Sequence, residues 1–179
     1  MKKEASSSIG YLFVFAVLLL GGIVAIYILV KARGMTNQRE VDDVLSSAVL
    51  GSLVMDDNYL FYTRELGQGV FKFKDTKESY EKYKEIINEA SKEHEEFYQN
   101  LTFDTFITYE VEDSLVTITE FKGDGSSTSK LDKKYNVKTP AGEPVEKTSA
   151  YGKISFDVKG INEVNRVSRD MYCTMEGDI

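Results

Sequence analysis

Imidazole and thiol chemistry in this chain rest on two residues, the single histidine His94 and the single cysteine Cys173. His94 falls on the apolar stripe of a helical pattern, and no Cys, Asp or Ser stands at a spacing that would make it a base or a ligand. It reads as a packing residue. Cys173 shares the apolar parity of the last alternating segment and reads as a structural thiol rather than a nucleophile. No phosphate-cradling glycine loop and no HExxH occurs. Asp56-Asp57-Asn58 and Asp124-Gly125-Ser126 offer oxygens of the kind calcium takes, but neither has the DxDxDG spacing, and a helix end and a turn account for them. Asn100-Leu101-Thr102 is a formal glycosylation sequon. Glu78 and Lys82 form an i,i+4 pair on a solvated helix face. The inventory predicts a non-enzymatic protein with no metal, no cofactor and no small-molecule substrate.

The elements that would carry these residues begin with an uncharged run, Ile9 to Val30, IGYLFVFAVLLLGGIVAIYILV. At 1.5 Å per residue it makes a helix of about 33 Å, enough to cross a hydrocarbon core of about 30 Å. A cleaved secretory signal would have an apolar region of about 7–15 residues followed by small residues at the cut. Here the run is longer, and Lys31-Ala32-Arg33-Gly34 follows it, so a retained anchor is expected. Basic residues flank both ends (Lys2 and Lys3; Lys31, Arg33 and Arg39), and their distribution sets no orientation. With so short an N-terminus, the soluble part is expected outside the cytoplasm.

Roughly 150 residues follow the anchor, enough for one domain with its own core. The formal net charge of −7 argues against a nucleic-acid binder, which would show a basic stripe. One cysteine cannot form an internal disulfide, so packing alone must stabilise the domain.

Helical periodicity continues past the anchor: Val41, Val44, Leu45, Ala48, Val49 and Leu53 line one face, opposite Arg39, Glu40, Asp42, Asp43 and Ser46. This stripe is expected to dock on a sheet and to end at Asp56-Asp57-Asn58. Tyr59 to Phe73 reads as an irregular connection with a short strand at Val70–Phe73. A second helix of about 25 residues is predicted from the steps of three and four through Tyr80, Tyr83, Ile87, Ala90, His94, Phe97 and Leu101, entered through a capping box of Asp75 and Glu78. The period then changes to two. Phe103, Thr105, Ile107, Tyr109 and Val111 alternate with Asp104, Thr108, Glu110 and Glu112, Glu112-Asp113 turns the chain, and Leu115–Phe121 completes a hairpin. Residues 122–149 contain both prolines and carry six lysines against four acidic residues. They read as a mobile loop. Alternation resumes at Ile154, Phe156 and Val158, and again at Val167, Met171, Cys173 and Met175. The fold class is α+β, with two helices on an antiparallel sheet of about four strands. Its parts are a charged leader (1–8), a transmembrane helix (9–30), an amphipathic extension (31–58) and an extracytoplasmic domain (59–179).

A short charged leader, small residues, an apolar helix running on as an amphipathic one, and then a sheet: this order resembles the type IV pilin-like proteins. It is most similar to the TadE-like minor pseudopilins of tight-adherence pili. In that family the leader ends in Gly or Ala, Ser often follows, and a Glu before an aromatic or apolar run lies five residues beyond the cut. Here Ala5 would end the leader, Ser6 would start the mature chain, and Gly10 and Tyr11 occupy the Glu-aromatic place. Residues Arg39 to Ala48 are similar to the acidic, small-residue stretch after the anchor in TadE-like proteins of low-GC Gram-positive bacteria. The likeness covers about the first 60 residues.

The resemblance implies a pilin-like structural component of a surface pilus or related secretion apparatus. Its partners would be the membrane and other pilin-like or assembly subunits. Ala5 and Ser6 would be the processing residues, and Val14, Leu18, Gly21, Gly22 and Ala25 would pack helices in lipid. Val41, Val44, Leu45, Ala48 and Leu53 would seat the sheet. The competing reading is a single-pass sensor or ligand-binding module that uses residues 122–149 for recognition.

Overall fold

A single helix, α1 (Lys2–Gly51), contains the uncharged run and the amphipathic stripe as far as Val49, and Leu53 lies beyond its end. The computed structural model describes residues 2–67, 70–93, 98–159 and 164–175, with side chains at all of these except 2–9, 33–37 and 159. The chain divides into two compact units, residues 1–40 and 41–179. The first unit is helical, and its segment Gly10–Ala32 is long and apolar enough for one membrane span.

In the second unit, the last turns of α1 are followed by α2 (Asp57–Glu65) and α3 (Thr76–Glu93). The strands are β1 (Gln99–Glu112), β2 (Leu115–Lys122), β3 (Ser127–Lys133), β4 (Ser149–Lys159) and β5 (Val164–Thr174), with a short 3-10 helix at Lys134–Asn136. They form one antiparallel sheet in the order β3-β2-β1-β4-β5. Among the described residues the architecture is α+β with five strands, one more than the apolar alternation predicts. The extra strand, β3, is Ser-Thr-Ser-Lys-Leu-Asp-Lys and is solvated on both faces, so it shows no period-two hydrophobic signal.

Two apolar clusters fix the sheet between its covers. On one face, Val41, Leu45, Ala48 and Val49 of α1 and Tyr80, Tyr83 and Ile87 of α3 bury against Phe106, Phe121, Ala150, Ile154 and Phe156. Each large side chain so buried contributes about 1.5–3 kcal/mol. Tyr80 stacks on Phe121 with ring centroids 4.9 Å apart, and Tyr83 stacks on Phe106 at 4.7 Å. On the other face, Val137 and Val145 cover Ile107, Tyr109, Val116, Ile118 and Tyr151.

Several boundaries differ from the sequence reading. Asp56 does not end a helix; α1 stops at Gly51, and Asp56 starts α2 by accepting the Tyr59 amide on its side chain at 3.1 Å. The carboxylate that disfavours a helix interior is a good N-cap, which the residue type alone does not distinguish. Tyr59–Phe73 is accordingly part helix, closed by a bridge between Met55 and Phe73. Asp75 caps α3 through the Lys77 and Glu78 amides at 2.7 and 3.4 Å. The helix does not reach Leu101, because β1 already begins at Gln99; Tyr98 and Leu101 join the core from outside the helix. Residues 122–149 are largely structured: besides β3 they include buried Val137, Thr139, Val145 and Thr148.

Candidate functional site

The surface that stands out is the segment Gly10–Ala32, none of whose residues is buried within the structure. Tyr11, Leu12, Phe13, Leu18, Leu20, Ile26 and Leu29 are exposed around the whole helix, not along one stripe. A helix apolar all round has its low-energy environment in lipid or in a core, and in water it would leave every one of these side chains hydrated. Val14, Leu18 and Ala25 lie on this surface, and a Cβ at Gly21 or Gly22 would meet nothing within 4 Å. Near its end, the Lys31 ammonium lies 5.4 Å from the centre of the Tyr27 ring, pairing a cation with an aromatic face where the apolar run gives way to charge. Ala5 and Ser6 belong to α1, and their side chains lie outside the described residues.

Of the predicted stripe, Val41, Leu45 and Ala48 of α1 are buried and Val44 is half-buried, while Leu53, past the end of the helix, packs against the same cluster. Val49 is fully buried with them. Asp42 meets Arg169 of β5 at 3.7 Å.

Among the described residues, those whose types could do chemistry do not converge. His94 lies outside the described residues. Cys173 is half-buried against the core; burial pushes its thiol above the ordinary range, partly offset by a hydrogen bond with Ser46. Asp56 is engaged as a helix cap, while Asp124 accepts the Ser126 amide at 2.8 Å and the Ser126 hydroxyl at 2.6 Å. Those bonds hold the Asp124 carboxyl below its usual range. Among the described residues no group of three or more His, Cys, Asp or Glu is placed to hold a metal ion.

The sequon is committed to the fold. Asn100, at φ 50°, donates its side-chain amide to Asp157 at 2.7 Å. Arg166 donates to the Asn100 carbonyl at 2.7 Å, to Asp157 at 3.0 Å, and to the Thr102 hydroxyl. Asn100 and then Arg166 hold the Asp157 carboxyl below its ordinary range. The network pins the irregular start of β1, where the register with β4 shifts between Gln99 and Thr102.

No family model matches the chain, and no match was found among curated proteins or solved structures.

Two further features escaped the sequence reading. Lys72 ion-pairs with Glu112 at 2.9 Å and lies over the Tyr59 ring, whose hydroxyl donates to Glu112 at 3.1 Å. This cluster ties the segment after α2 to the end of β1. The other is β3, whose sequence signal was the Gly123-Asp124-Gly125 turn directly after an apolar strand.

Proposed function

We propose that this chain is a membrane-anchored, non-enzymatic, pilin-like structural component of a surface pilus or related secretion apparatus. Gly10–Ala32 crosses the bilayer, and the α+β domain lies outside the cytoplasm. The observation that supports this reading is α1 itself: one helix carries both the exposed apolar segment and the stripe buried in the domain core. That is the construction expected of a subunit whose anchor and folded head share a helix. The likeness of residues 1–60 to TadE-like pseudopilins adds the expectation that a prepilin-type peptidase cuts after Ala5. Neighbouring subunits would then pack on the Val14, Leu18, Gly21, Gly22 and Ala25 face, where glycines permit close backbone approach.

Mass analysis of the N-terminal peptide from native membranes tests this. A chain starting at Ser6 supports the pilin-like route. A chain starting at Met1 that resists alkaline extraction from membranes leaves a plain tethered module, and one released by that extraction removes the anchor as well.

A further inference from the structure

We infer that the free edge of β3 is a contact between two copies of this chain, joined about a two-fold axis at Leu131. β3 is the outermost strand on its side of the sheet. It has no proline, and its register with β2 runs unbroken from Leu115↔Lys133 to Phe121↔Ser127, so bulges and proline, two usual protections of an edge, are absent. The bonds from Lys122 N to Ser126 O and from Lys134 N to Ser114 O, both 2.9 Å, set the parity of the ladder. The even-numbered residues of β3 turn their backbone groups toward β2. Ser127, Ser129, Leu131 and Lys133 therefore turn theirs outward.

Antiparallel pairing of this edge with its own copy must use those outward residues, which limits the registers. Centring on Lys130 sets Lys130 opposite Lys130. Centring on Asp132 sets two aspartates opposite each other. Only the register centred on Leu131 places Lys130 of each copy opposite Asp132 of the other, twice by symmetry, and like charges directly opposite are unfavourable. Lys130 and Asp132 face the same side, opposite Ile118 and Val116 of β2. Neither makes an ion pair among the described residues. On the opposite face the same register brings Leu131, 63% exposed, against its symmetry mate. Asp132 now accepts the Lys133 amide at 2.7 Å; in the dimer that amide, one of the outward set, turns to the second copy as Asp132 meets the lysine. At the other edge, Arg166 and Arg169 of β5 already pair within the chain, with Asp157 and Asp42.

The overlap is short, so this is a transient contact rather than an obligate dimer, and it does not depend on the bilayer reading above. The test is sedimentation equilibrium of the full chain in a density-matched neutral detergent, from about 10 µM to about 1 mM. The wild-type chain should self-associate, less so at high salt. Lys130→Asp and Asp132→Lys, each alone, should weaken self-association about tenfold or more, since each sets like charges opposite one another twice. An equimolar mixture of the two variants should regain wild-type affinity as a heterodimer, because each then supplies the charge the other lacks. A wild-type chain that stays monomeric throughout, single variants that associate unchanged, or a mixture no tighter than its components would each overturn the inference.

Discussion

Tyr83 lies against Gly152: a Cβ placed on that glycine would stand 2.6 Å from Tyr83 Cε2 and 2.9 Å from its hydroxyl oxygen. Gly152 pairs with Phe106, and the Tyr83 ring is stacked on Phe106, so the ring cannot retreat. Gly152→Ala should therefore destabilise the domain by about 1–3 kcal/mol through overpacking. Urea unfolding measures it, and an unchanged midpoint would show that α3 can lift from the sheet at no cost.

The Tyr83 hydroxyl is buried and has no hydrogen-bond partner among the described residues. Removing a group that is desolvated without compensation costs nothing and relieves a penalty of about 1–3 kcal/mol. Tyr83→Phe should leave the thermal midpoint unchanged or raise it. A clear fall in stability would reveal a bond to this oxygen.

Leu45 is fully buried within the cluster that joins α1 to the sheet. Leu45→Ala should cost about 2–5 kcal/mol, and Leu45→Asp, which places an unpaired charge there, should prevent stable folding. Circular dichroism of the Asp variant matching wild type would contradict the docking of this stripe.

Burial pushes the phenols of Tyr83, Tyr109 and Tyr151 well above their ordinary value of 10.0. Below pH 10 folded and unfolded states hold these protons equally. Above it the unfolded chain releases them first, and the folded state loses up to about 1.4 kcal/mol per pH unit for each phenol. Lys72, raised mainly by its bond to Glu112, moves stability in the same direction over the same range. The domain should thus unfold cooperatively in alkali above about pH 10, with tyrosinate absorbance appearing together with loss of structure. Tyrosinate absorbance rising several pH units before unfolding would refute this.

Arg166→Ala removes the bonds to Asn100, Asp157 and Thr102. The cluster is solvent-exposed, so global stability should fall by less than about 1 kcal/mol. Amide exchange at residues 99–102 should nevertheless accelerate, because the irregular start of β1 loses its clamp. Unchanged exchange there would mean that backbone pairing with β4 holds the segment alone.

Much of the fold was legible in side-chain periodicity. A run without charge gives the apolar helix of α1. Steps of three and four pick out Leu45, Ala48, Tyr80, Tyr83 and Ile87, which all lie in one core. Alternation from Phe103 to Val111 gives β1, although Phe106, on the other parity, is buried as well, in the cluster opposite that of Ile107 and Tyr109; each of these signals exists because apolar side chains must leave water. Where neither face does, as in β3, the chain gives no hydrophobic period, and its strand exists because β2 offers it a ladder of backbone bonds. Local chemistry was similarly ambiguous at Asp56, where one carboxylate fits both a helix stop and a helix start. In residues 122–149 the composition is that of a loop, yet Val137 and Val145 are buried because the far face of the sheet presents Tyr109, Val116 and Tyr151 for them to cover.

The sequence by itself determined one candidate membrane-spanning helix and an α+β domain, because charge, apolar run length and period are properties of residues along the chain. Tertiary structure alone decided that the sheet has five strands, that the Asn100 sequon is bound into the Arg166 network, and that Tyr83 rests on a glycine from another strand. Each of these depends on groups far apart in sequence meeting at a distance of a few ångströms, and no local period encodes which ones meet.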